Sequence, residues 1–267
     1  MLILKKNKPM SAVKPKKSLG QHFLKDKEIA QKIVNLLQVK PNQKALEIGA
    51  GMGVLTEWLC KRTDFETFVV EIDRDSVAYL KAQNFIKPEN IIEGDFLKWR
   101  IDRFSDKPFS IIGNLPYNIS SQIFFKVYEN CRLIPEVVCM IQKEVAERIA
   151  APHGSKTYGI LSVLLQTYYD ITYEFTVPPH VFLPPPKVQS AVISFRLKSV
   201  LPDVNPIKLK QIVKMGFNQR RKTLRNALKA LNMPPQMAAE ALFDKRAEQL
   251  SVQDFLDLTN RISAMSL

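Results

Sequence analysis

A segment near residue 50 carries the glycine spacing of a nucleotide-binding turn. Three of the nine glycines lie in Gly49-Ala50-Gly51-Met52-Gly53, directly after a short predicted strand over 45–48. A strand that ends in Gly-x-Gly-x-Gly and opens a helix lets the backbone come very close to a ligand, because glycine has no Cβ atom. Enzymes that use nicotinamide, flavin or S-adenosylmethionine all carry such turns, so the glycines alone leave the cofactor open.

Three acidic residues lie at the ends of successive predicted strands. Glu47 precedes the first glycine by two residues, and Glu71 ends the next strand, about 20 residues further on, where an acceptor for ribose hydroxyls belongs. Asp95 follows the third strand and could accept from an adenine amino group. Acids at three strand ends suit a nucleoside without a diphosphate and favour S-adenosylmethionine. Its predicted contacts here are Glu47, Gly49, Gly51, Glu71, Ile72, Asp95 and Phe96.

A second chemical motif, Asn114-Leu115-Pro116-Tyr117, follows the fourth predicted strand and therefore lies at the same sheet edge. The Asn114 amide oxygen and the Leu115 carbonyl could accept both hydrogens of a ring-conjugated amine and direct its lone pair at a methyl group. Pro116 stiffens the turn, and stacking of a base on Tyr117 contributes about 1–3 kcal/mol. Acceptors, alignment and the leaving group supply this catalysis without a strong general base. Asn114 also borders the predicted cofactor site.

A proline-dense loop supplies a second aromatic candidate. Phe182 lies in Val181-Phe182-Leu183-Pro184-Pro185-Pro186, where the prolines favour an extended, rigid backbone. Such a segment could hold the Phe182 ring opposite Tyr117 and clamp a base that has left its stack. Alternatively, Phe182 fills a gap in the apolar core.

Strand and helix patterns alternate over most of the chain. Apolar periodicity predicts helices over 26–38, 54–62, 75–83, 119–130 and 142–151. Short apolar runs predict strands over 45–48, 67–72, 91–93, 109–113 and 137–141. Strands separated by crossover helices predict an α/β, Rossmann-like, doubly wound and mostly parallel sheet.

The last part of the chain has a different pattern of predicted strands and helices. Two β-rich runs at 171–177 and 190–197 predict an antiparallel pair that ends the sheet. Beyond residue 201 the pattern is helical. We therefore divide the chain into a flexible basic extension over 1–15, a methyltransferase domain over 16–201 and a small all-α domain over 202–267.

Positive charge is concentrated at two places. Residues 1–17 contain six lysines and no acid, and residues 204–239 contain eight basic residues and no acid, which together exceed the net charge of +13. Two such segments around a near-neutral body favour a polyanionic partner. Three scattered cysteines suggest neither a disulfide framework nor a metal cluster, and no apolar run is long enough for a membrane span. We expect a cytoplasmic monomer that needs no metal.

Together these motifs closely resemble the KsgA (RsmA) family of bacterial small-subunit rRNA adenine dimethyltransferases, which is related to the eukaryotic dimethyladenosine transferases and the Erm methyltransferases. The matching segments are residues 16–24 (KKSLGQHFL), 49–53, Glu71, 94–95, 114–117, 182–192 (FLPPPKVQSAV) and 217–226 (FNQRRKTLRN). The resemblance implies further cofactor contacts from Gln21, His22 and Leu24. His22 stands where many bacterial relatives have asparagine.

The resemblance also implies the reaction and its partner. S-adenosylmethionine would donate methyl groups to N6 of two adjacent adenosines near the 3′ end of 16S rRNA in the assembling 30S subunit. Residues Lys210, Lys214, Arg221, Arg225 and Lys229 recur at helical spacing, on one helix or on two helices broken near Gly216. The predicted RNA contacts are Lys214, Arg220, Arg221, Lys222, Arg225 and Lys229.

Three alternatives differ in substrate or class. An Erm-type enzyme would methylate 23S rRNA, but residues 19–24 (LGQHFL) and the proline loop favour the small-subunit enzymes. An assembly factor could keep the fold without catalysis, although the intact Asn114–Tyr117 turn argues against this. A nicotinamide dehydrogenase is disfavoured by the glycine spacing and by the lack of a partner residue for hydride transfer.

Overall fold

A seven-stranded mixed sheet organises the protein. The computed structural model describes residues 13–41, 43–219 and 221–265. The sheet has the order β4-β3-β2-β5-β6-β9-β7, in which β2 to β6 are parallel and β9 pairs antiparallel with both β6 and β7. This confirms the predicted doubly wound sheet with an antiparallel end. The strands are β1 Phe23–Leu24, β2 Lys44–Ile48, β3 Glu66–Glu71, β4 Ile91–Glu93, β5 Phe109–Asn114, β6 Glu136–Gln142, β7 Tyr169–Val177, β8 Phe182–Leu183 and β9 Ser190–Leu197.

Helices cover the sheet and form the C-terminal part of the chain. They are α1 Lys27–Asn35, α2 Val54–Leu59, α3 Arg74–Lys81, α4 Ser120–Glu129, α5 Lys143–Ala150, α6 Ile160–Tyr168, α7 Pro206–Asn218, α8 Leu224–Ala227, α9 Pro235–Ala238 and α10 Val252–Ala264. Short 3₁₀ turns lie at Lys17–Leu19, Pro88–Asn90, Phe96–Lys98, Ile101–Arg103, Pro179–Val181, Lys229–Leu231, Ala241–Asp244 and Ala247–Gln249. The sequence did not predict α6. Seven of its nine residues are buried, so it lacks the polar face that makes a helix visible as a periodic pattern.

A second, two-stranded sheet joins distant parts of the chain. Strand β1 pairs antiparallel with β8, with Phe23 opposite Leu183 and Leu24 opposite Phe182. Two-residue strands are too short to show an alternating pattern, so the sequence did not predict this pairing. The pairing holds residues 16–24 against the proline loop, next to the carboxyl ends of the parallel strands.

The C-terminal helices pack on the sheet domain through a shared apolar cluster, which includes Leu164 of α6 and Leu209 of α7. The basic residues lie on two helices, as one of the two predicted alternatives has it, but α7 runs without interruption through Gly216 and the break follows Asn218. Gly216 is buried, and a Cβ atom there would lie 3.4 Å from both Ala247 Cβ and Leu224 Cδ2. The glycine therefore permits close packing, and α7 ends instead at Asn218.

The predicted domain boundaries can be compared with the strands and helices of the structure. Strand β9 ends at Leu197 and α7 begins at Pro206, on either side of the boundary predicted near residue 201. Residues 1–12 of the predicted basic extension lie outside the described residues, whereas Val13 is buried. Within the described part of the chain, no helix is both long and apolar enough to cross a membrane.

Candidate active site

An open cleft lies at the carboxyl ends of β2, β3, β4 and β5. Parallel sheets bind ligands at this edge. The structure brings most of the predicted cofactor and catalytic residues together in the wall of this cleft. They are Gln21, His22, Gly49, Gly51, Glu71, Ile72, Asp95, Phe96, Asn114, Leu115, Pro116 and Tyr117.

Three predicted site residues lie elsewhere. Leu24 and Glu47 line a smaller cavity behind the glycine turn. Asn114 lies between this cavity and the main cleft and lines both. The Phe182 ring is 1% exposed and packs in an apolar cluster that includes Leu24 and Val181. It therefore does not face Tyr117 across the cleft in this structure, and its packing agrees with the alternative that it fills the core.

The glycine turn forms one wall of the cleft through its backbone. Gly51 adopts a φ of +54°, and a Cβ atom there would lie 2.7 Å from the Phe23 ring. Both the backbone angle and the close ring require glycine at this position. The Gly49 N–H donates to the Val70 carbonyl over 2.9 Å, and the Gly51 N–H donates to Glu71 Oε2 over 2.9 Å. The turn is thus fastened to β3.

Glu71 is buried, and backbone donors fix its carboxylate. Oε2 accepts from the Gly51 N–H, and Oε1 accepts from the Asp73 N–H over 2.8 Å. Burial raises the pKa of Glu71, although these N–H groups oppose the shift. Each carboxylate oxygen has a second lone pair, so Glu71 can still accept from two hydroxyl groups in the cleft.

Glu47 has a different environment from Glu71. Its side chain is buried, and Oε2 accepts from the Thr56 hydroxyl over 2.5 Å. Burial raises the pKa of Glu47 to about 8, opposed by the Thr56 hydrogen bond and reinforced by the negative charge of Glu71. Glu47 therefore carries a proton at neutral pH. It supports the glycine turn from behind and does not present a charge to the cleft.

This protonated acid predicts a pH dependence of stability. A carboxyl group whose pKa rises on folding stabilises the protein most below about pH 4.5, and this stabilisation declines by up to ~1.4 kcal/mol per pH unit as the pH approaches 8. We expect Glu47→Gln, which is neutral at every pH, to flatten this decline between pH 5 and 8. Urea unfolding of both proteins at four pH values measures it. Parallel stability profiles would show that Glu47 is ionised in the folded protein.

The Asn114–Tyr117 turn is held from both sides. The Asn114 Nδ2 donates to the His22 carbonyl over 2.8 Å, which leaves its Oδ1 as the acceptor of the side chain. The Leu115 N–H donates to the Met140 carbonyl over 3.0 Å. Tyr117 Oη lies 2.6 Å from Ser190 Oγ, and burial raises the pKa of Tyr117. The side chains and carbonyls of this turn are thus fixed before any substrate binds.

Gly113 explains how the turn can begin so close to β2. A Cβ atom at this position would lie 2.6 Å from the Ile48 carbonyl oxygen, a backbone atom that cannot move aside. Strands β2 and β5 therefore approach closely at their carboxyl ends, and the glycine turn and the catalytic turn meet there.

Polar contacts to Asp73, which the sequence analysis missed, hold residues 16–21 over the cleft. Lys16 Nζ lies 2.5 Å from Asp73 Oδ1 and 2.7 Å from Asp75 Oδ2. Gln21 Nε2 donates to Asp73 Oδ2 over 2.9 Å. Burial alone would raise the pKa of Asp73, but the hydrogen bonds from Lys16 and Gln21 outweigh burial and lower it. In the sequence, the feature that could have indicated this role is the position of Asp73 two residues after Glu71.

Lys126 is a second residue that the sequence did not indicate. Its Nζ donates to the carbonyls of Phe96 and Leu97, over 2.7 and 3.1 Å, and also to the Trp99 carbonyl. These bonds hold the turn after β4, which presents Asp95 and Phe96 to the cleft.

The predicted RNA-binding residues have different environments. Arg221, Lys222 and Lys229 are exposed, and Lys214 Nζ lies 4.9 Å from the centre of the Phe125 ring. Arg225 instead donates to the Ala238 carbonyl and lies 2.6 Å from Asp244 Oδ1, so it joins segments of the C-terminal helices. Arg220 lies outside the described residues.

Comparison with known proteins agrees with this geometry. A family model described as ribosomal RNA adenine dimethylase matches residues 12–264. The ribosomal RNA small subunit methyltransferase A of Cytophaga hutchinsonii is 56% identical over 259 residues, which cover 95% of this chain and 99% of that protein. The protein of the same name from Bacteroides thetaiotaomicron is 55% identical and covers 95% of this chain and 96% of its own length.

Solved structures share the fold. A dimethyladenosine transferase from Plasmodium falciparum aligns with a TM-score of 0.78 and 26% identity, covering 92% of this chain and 99% of that chain. The 23S rRNA methyltransferase ErmE aligns with a TM-score of 0.63 and 22% identity, covering 89% and 99%, and this likeness concerns the fold alone. The family match over nearly the whole chain and the high identity to these bacterial relatives place the protein in the ribosomal RNA adenine dimethylase family.

Proposed function

We propose that this protein transfers methyl groups from S-adenosylmethionine to N6 of two adjacent adenosines near the 3′ end of 16S rRNA and dimethylates each of them. One observation supports this proposal more strongly than any other. The fixed acceptor of Asn114 opens onto the same cleft as the carboxylates of Glu71 and Asp95. The substrate follows from the small-subunit relatives. The enzyme would act in the cytoplasm, as a monomer, on the small ribosomal subunit.

The wall of the cleft fits a cationic nucleoside. Glu71 would accept from the ribose hydroxyls, and Asp95 would accept from the adenine amino group. Ile72 and Phe96 contribute apolar side chains to the lining of the cleft, and Ile72 is 49% exposed. The positive φ of Gly51 and the absence of its Cβ let the Phe23 ring pack against the turn and form part of the same wall.

When bound, S-adenosylmethionine supplies an electrophilic methyl group on a sulfonium ion. The residues of the catalytic turn prepare the nucleophile. Asn114 Oδ1 and the Leu115 carbonyl would accept the two amino hydrogens of the target adenine in the rRNA and favour a pyramidal nitrogen. The Tyr117 ring would stack on the base and exclude water from one side. Orientation and electrostatic preorganisation provide the rate enhancement.

A methylation assay tests the proposed substrate. Purified protein is incubated with labelled S-adenosylmethionine and either undermethylated 30S or undermethylated 50S subunits, and the labelled base is then mapped. We expect two adjacent dimethylated adenosines in 16S rRNA. Label in 23S rRNA would favour an Erm-type enzyme. Binding to 30S subunits without label would favour an assembly factor.

We also propose that the exposed cations after α7 bind rRNA phosphates. Arg221→Glu with Lys222→Glu should weaken binding to 30S subunits and reduce the slope of log affinity against log salt by about one or less for each lost contact. The control pair is Lys40→Glu with Lys87→Glu, which changes the net charge equally at exposed positions on the amino side of β2 and β4. Equal effects of the two pairs would contradict the proposed surface. Arg225 is unsuitable here because its loss would break internal hydrogen bonds.

A further inference from the structure

We infer that the side chain of His22 is a positioning residue, which fixes Tyr117 and the proline loop as one rigid surface for the target base. This inference rests on the proposed function and assigns the His22 ring a task separate from cofactor contact. It follows from three contacts that His22 makes, two to the Asn114–Tyr117 turn and one to the proline loop.

The first contact joins His22 to the catalytic turn through the backbone. Its carbonyl accepts from Asn114 Nδ2 over 2.8 Å. Because this bond uses only a main-chain atom, any residue at position 22 can keep it. Substitution of the side chain therefore separates the role of the ring from the orientation of Asn114.

The second contact is a ring stack. The centroids of the His22 and Tyr117 rings are 5.6 Å apart, and their planes differ by 26°. Tyr117 is held at its hydroxyl by Ser190 Oγ over 2.6 Å. The Tyr117 ring is thus fixed at its edge by β9 and on one face by His22. A ring that is already ordered loses less side-chain entropy when a base stacks on it.

The third contact fixes the His22 ring itself. His22 Nδ1 lies 2.7 Å from the Pro184 carbonyl oxygen. A carbonyl can only accept, so Nδ1 carries the hydrogen. The neighbouring β1–β8 pairing, with Phe23 opposite Leu183, holds the same two segments together. The His22 ring therefore connects Tyr117 to the proline loop. It cannot rotate away from Tyr117 without losing its hydrogen bond to Pro184.

His22 does not take the place predicted for Phe182, because its ring stacks directly on Tyr117 and does not face it across a bound base. In β8 the side chains alternate, so Phe182 is buried while Leu183 is 49% exposed. The aromatic ring beside Tyr117 comes instead from residue 22, at the other end of the sequence. This ring contacts one face of Tyr117, and under this inference the base would stack on the other face.

Three substitutions separate the two functions of the ring. His22→Phe keeps the stacking surface and removes the Nδ1–H donor. His22→Asn keeps a short donor toward Pro184 and removes the ring. His22→Ala removes both. His153→Ala, at an exposed histidine outside the cleft, is the control. Thermal unfolding of each variant confirms that it is folded.

The first measurement compares methyl transfer with cofactor binding. For His22→Ala we expect the single-turnover rate on undermethylated 30S subunits to fall by about 10- to 100-fold, while the dissociation constant for S-adenosylmethionine changes by less than about threefold. His22→Phe and His22→Asn should each retain part of the rate. His22→Ala combined with Tyr117→Ala should be little slower than Tyr117→Ala alone, because contacting residues are not additive. A loss of cofactor affinity proportional to the loss of rate, or an unchanged or faster rate, would overturn the inference.

The second measurement does not depend on catalysis. Fluorotyrosine incorporated into the full chain gives a ¹⁹F NMR line for Tyr117, which Tyr117→Phe assigns by its loss. We expect this line to shift or broaden in His22→Ala and to remain close to wild type in His22→Phe and in His153→Ala. An unchanged line in His22→Ala would overturn the inference, even if the wild-type protein methylates 30S subunits. Failure of the wild type to methylate rRNA would contradict the proposed function. The NMR result would then still test whether His22 positions Tyr117.

Discussion

Replacing Asn114 with alanine should abolish methyl transfer while S-adenosylmethionine still binds. Asn114 is the end residue of β5, and its Nδ2 bond to the His22 carbonyl fixes Oδ1 as an acceptor. Loss of one preorganised polar group in an active site lowers the catalytic rate by about 10²- to 10³-fold. Here the alanine also frees the His22 carbonyl, so we expect the upper end of that range or more. Single-turnover methylation of 30S subunits measures the rate, and calorimetry measures cofactor affinity.

Asn114→Asp is the matched control for this prediction. It keeps the size and the acceptor oxygens, but it replaces the Nδ2 donor with an oxygen that faces the His22 carbonyl. We expect it to be nearly as inactive as alanine, because the two oxygens repel each other and the side chain loses its orientation. Turnover close to wild type in Asn114→Ala would exclude Asn114 as the acceptor of the amino group.

Replacing Glu71 with alanine should produce the largest loss of cofactor affinity. The substitution removes the proposed acceptor for ribose hydroxyls, and it also leaves the Gly51 and Asp73 N–H groups without their acceptor. Each unsatisfied buried donor costs about 1–3 kcal/mol, so the glycine turn itself should loosen. We expect the dissociation constant for S-adenosylmethionine to rise by about 100-fold or more, since each ~1.4 kcal/mol is a factor of ten.

Two further substitutions serve as controls for Glu71→Ala. Glu71→Gln keeps one oxygen as an acceptor but turns an NH₂ group toward the second backbone donor, so we expect an intermediate affinity. Glu93→Gln removes an exposed carboxylate that lies 3.1 Å from Arg74 Nε at the end of β4, and we expect little change. A calorimetric affinity of Glu71→Ala equal to that of Glu93→Gln would contradict the ribose assignment.

The sequence predicted the parallel core of the fold and most of the cleft. Strand β5 is an apolar run with a glycine near its end, and α3 carries Arg74, Asp75 and Lys81 opposite a buried face, so both follow from local pattern. The carboxyl ends of parallel strands meet at one edge whatever the details of packing. For that reason Glu71, Asp95 and Asn114 could be placed in one site without coordinates.

Contacts between distant segments could not be predicted in the same way. Whether Phe182 or Leu183 points inward depends on the register of β1 and β8, and two residues do not reveal a register. Arg225 looked like the other exposed cations, because its partners, Ala238 and Asp244, are brought to it by the turns after α8. Sequence patterns assigned Lys16 no contact within the site, yet it pairs with Asp73, the residue that caps the start of α3.

The β1–β8 pairing has a consequence for the order in which the protein becomes functional during synthesis. His22 and Pro184 are 162 residues apart in the chain. Ribosomes release the amino terminus first, so residues 16–24 must wait without their partner strand until β8 has left the exit tunnel. Bringing such distant segments together requires closure of a long loop, which is slow compared with local helix formation. Residues 16–24, which line one side of the cleft, are therefore among the last segments to reach their final contacts.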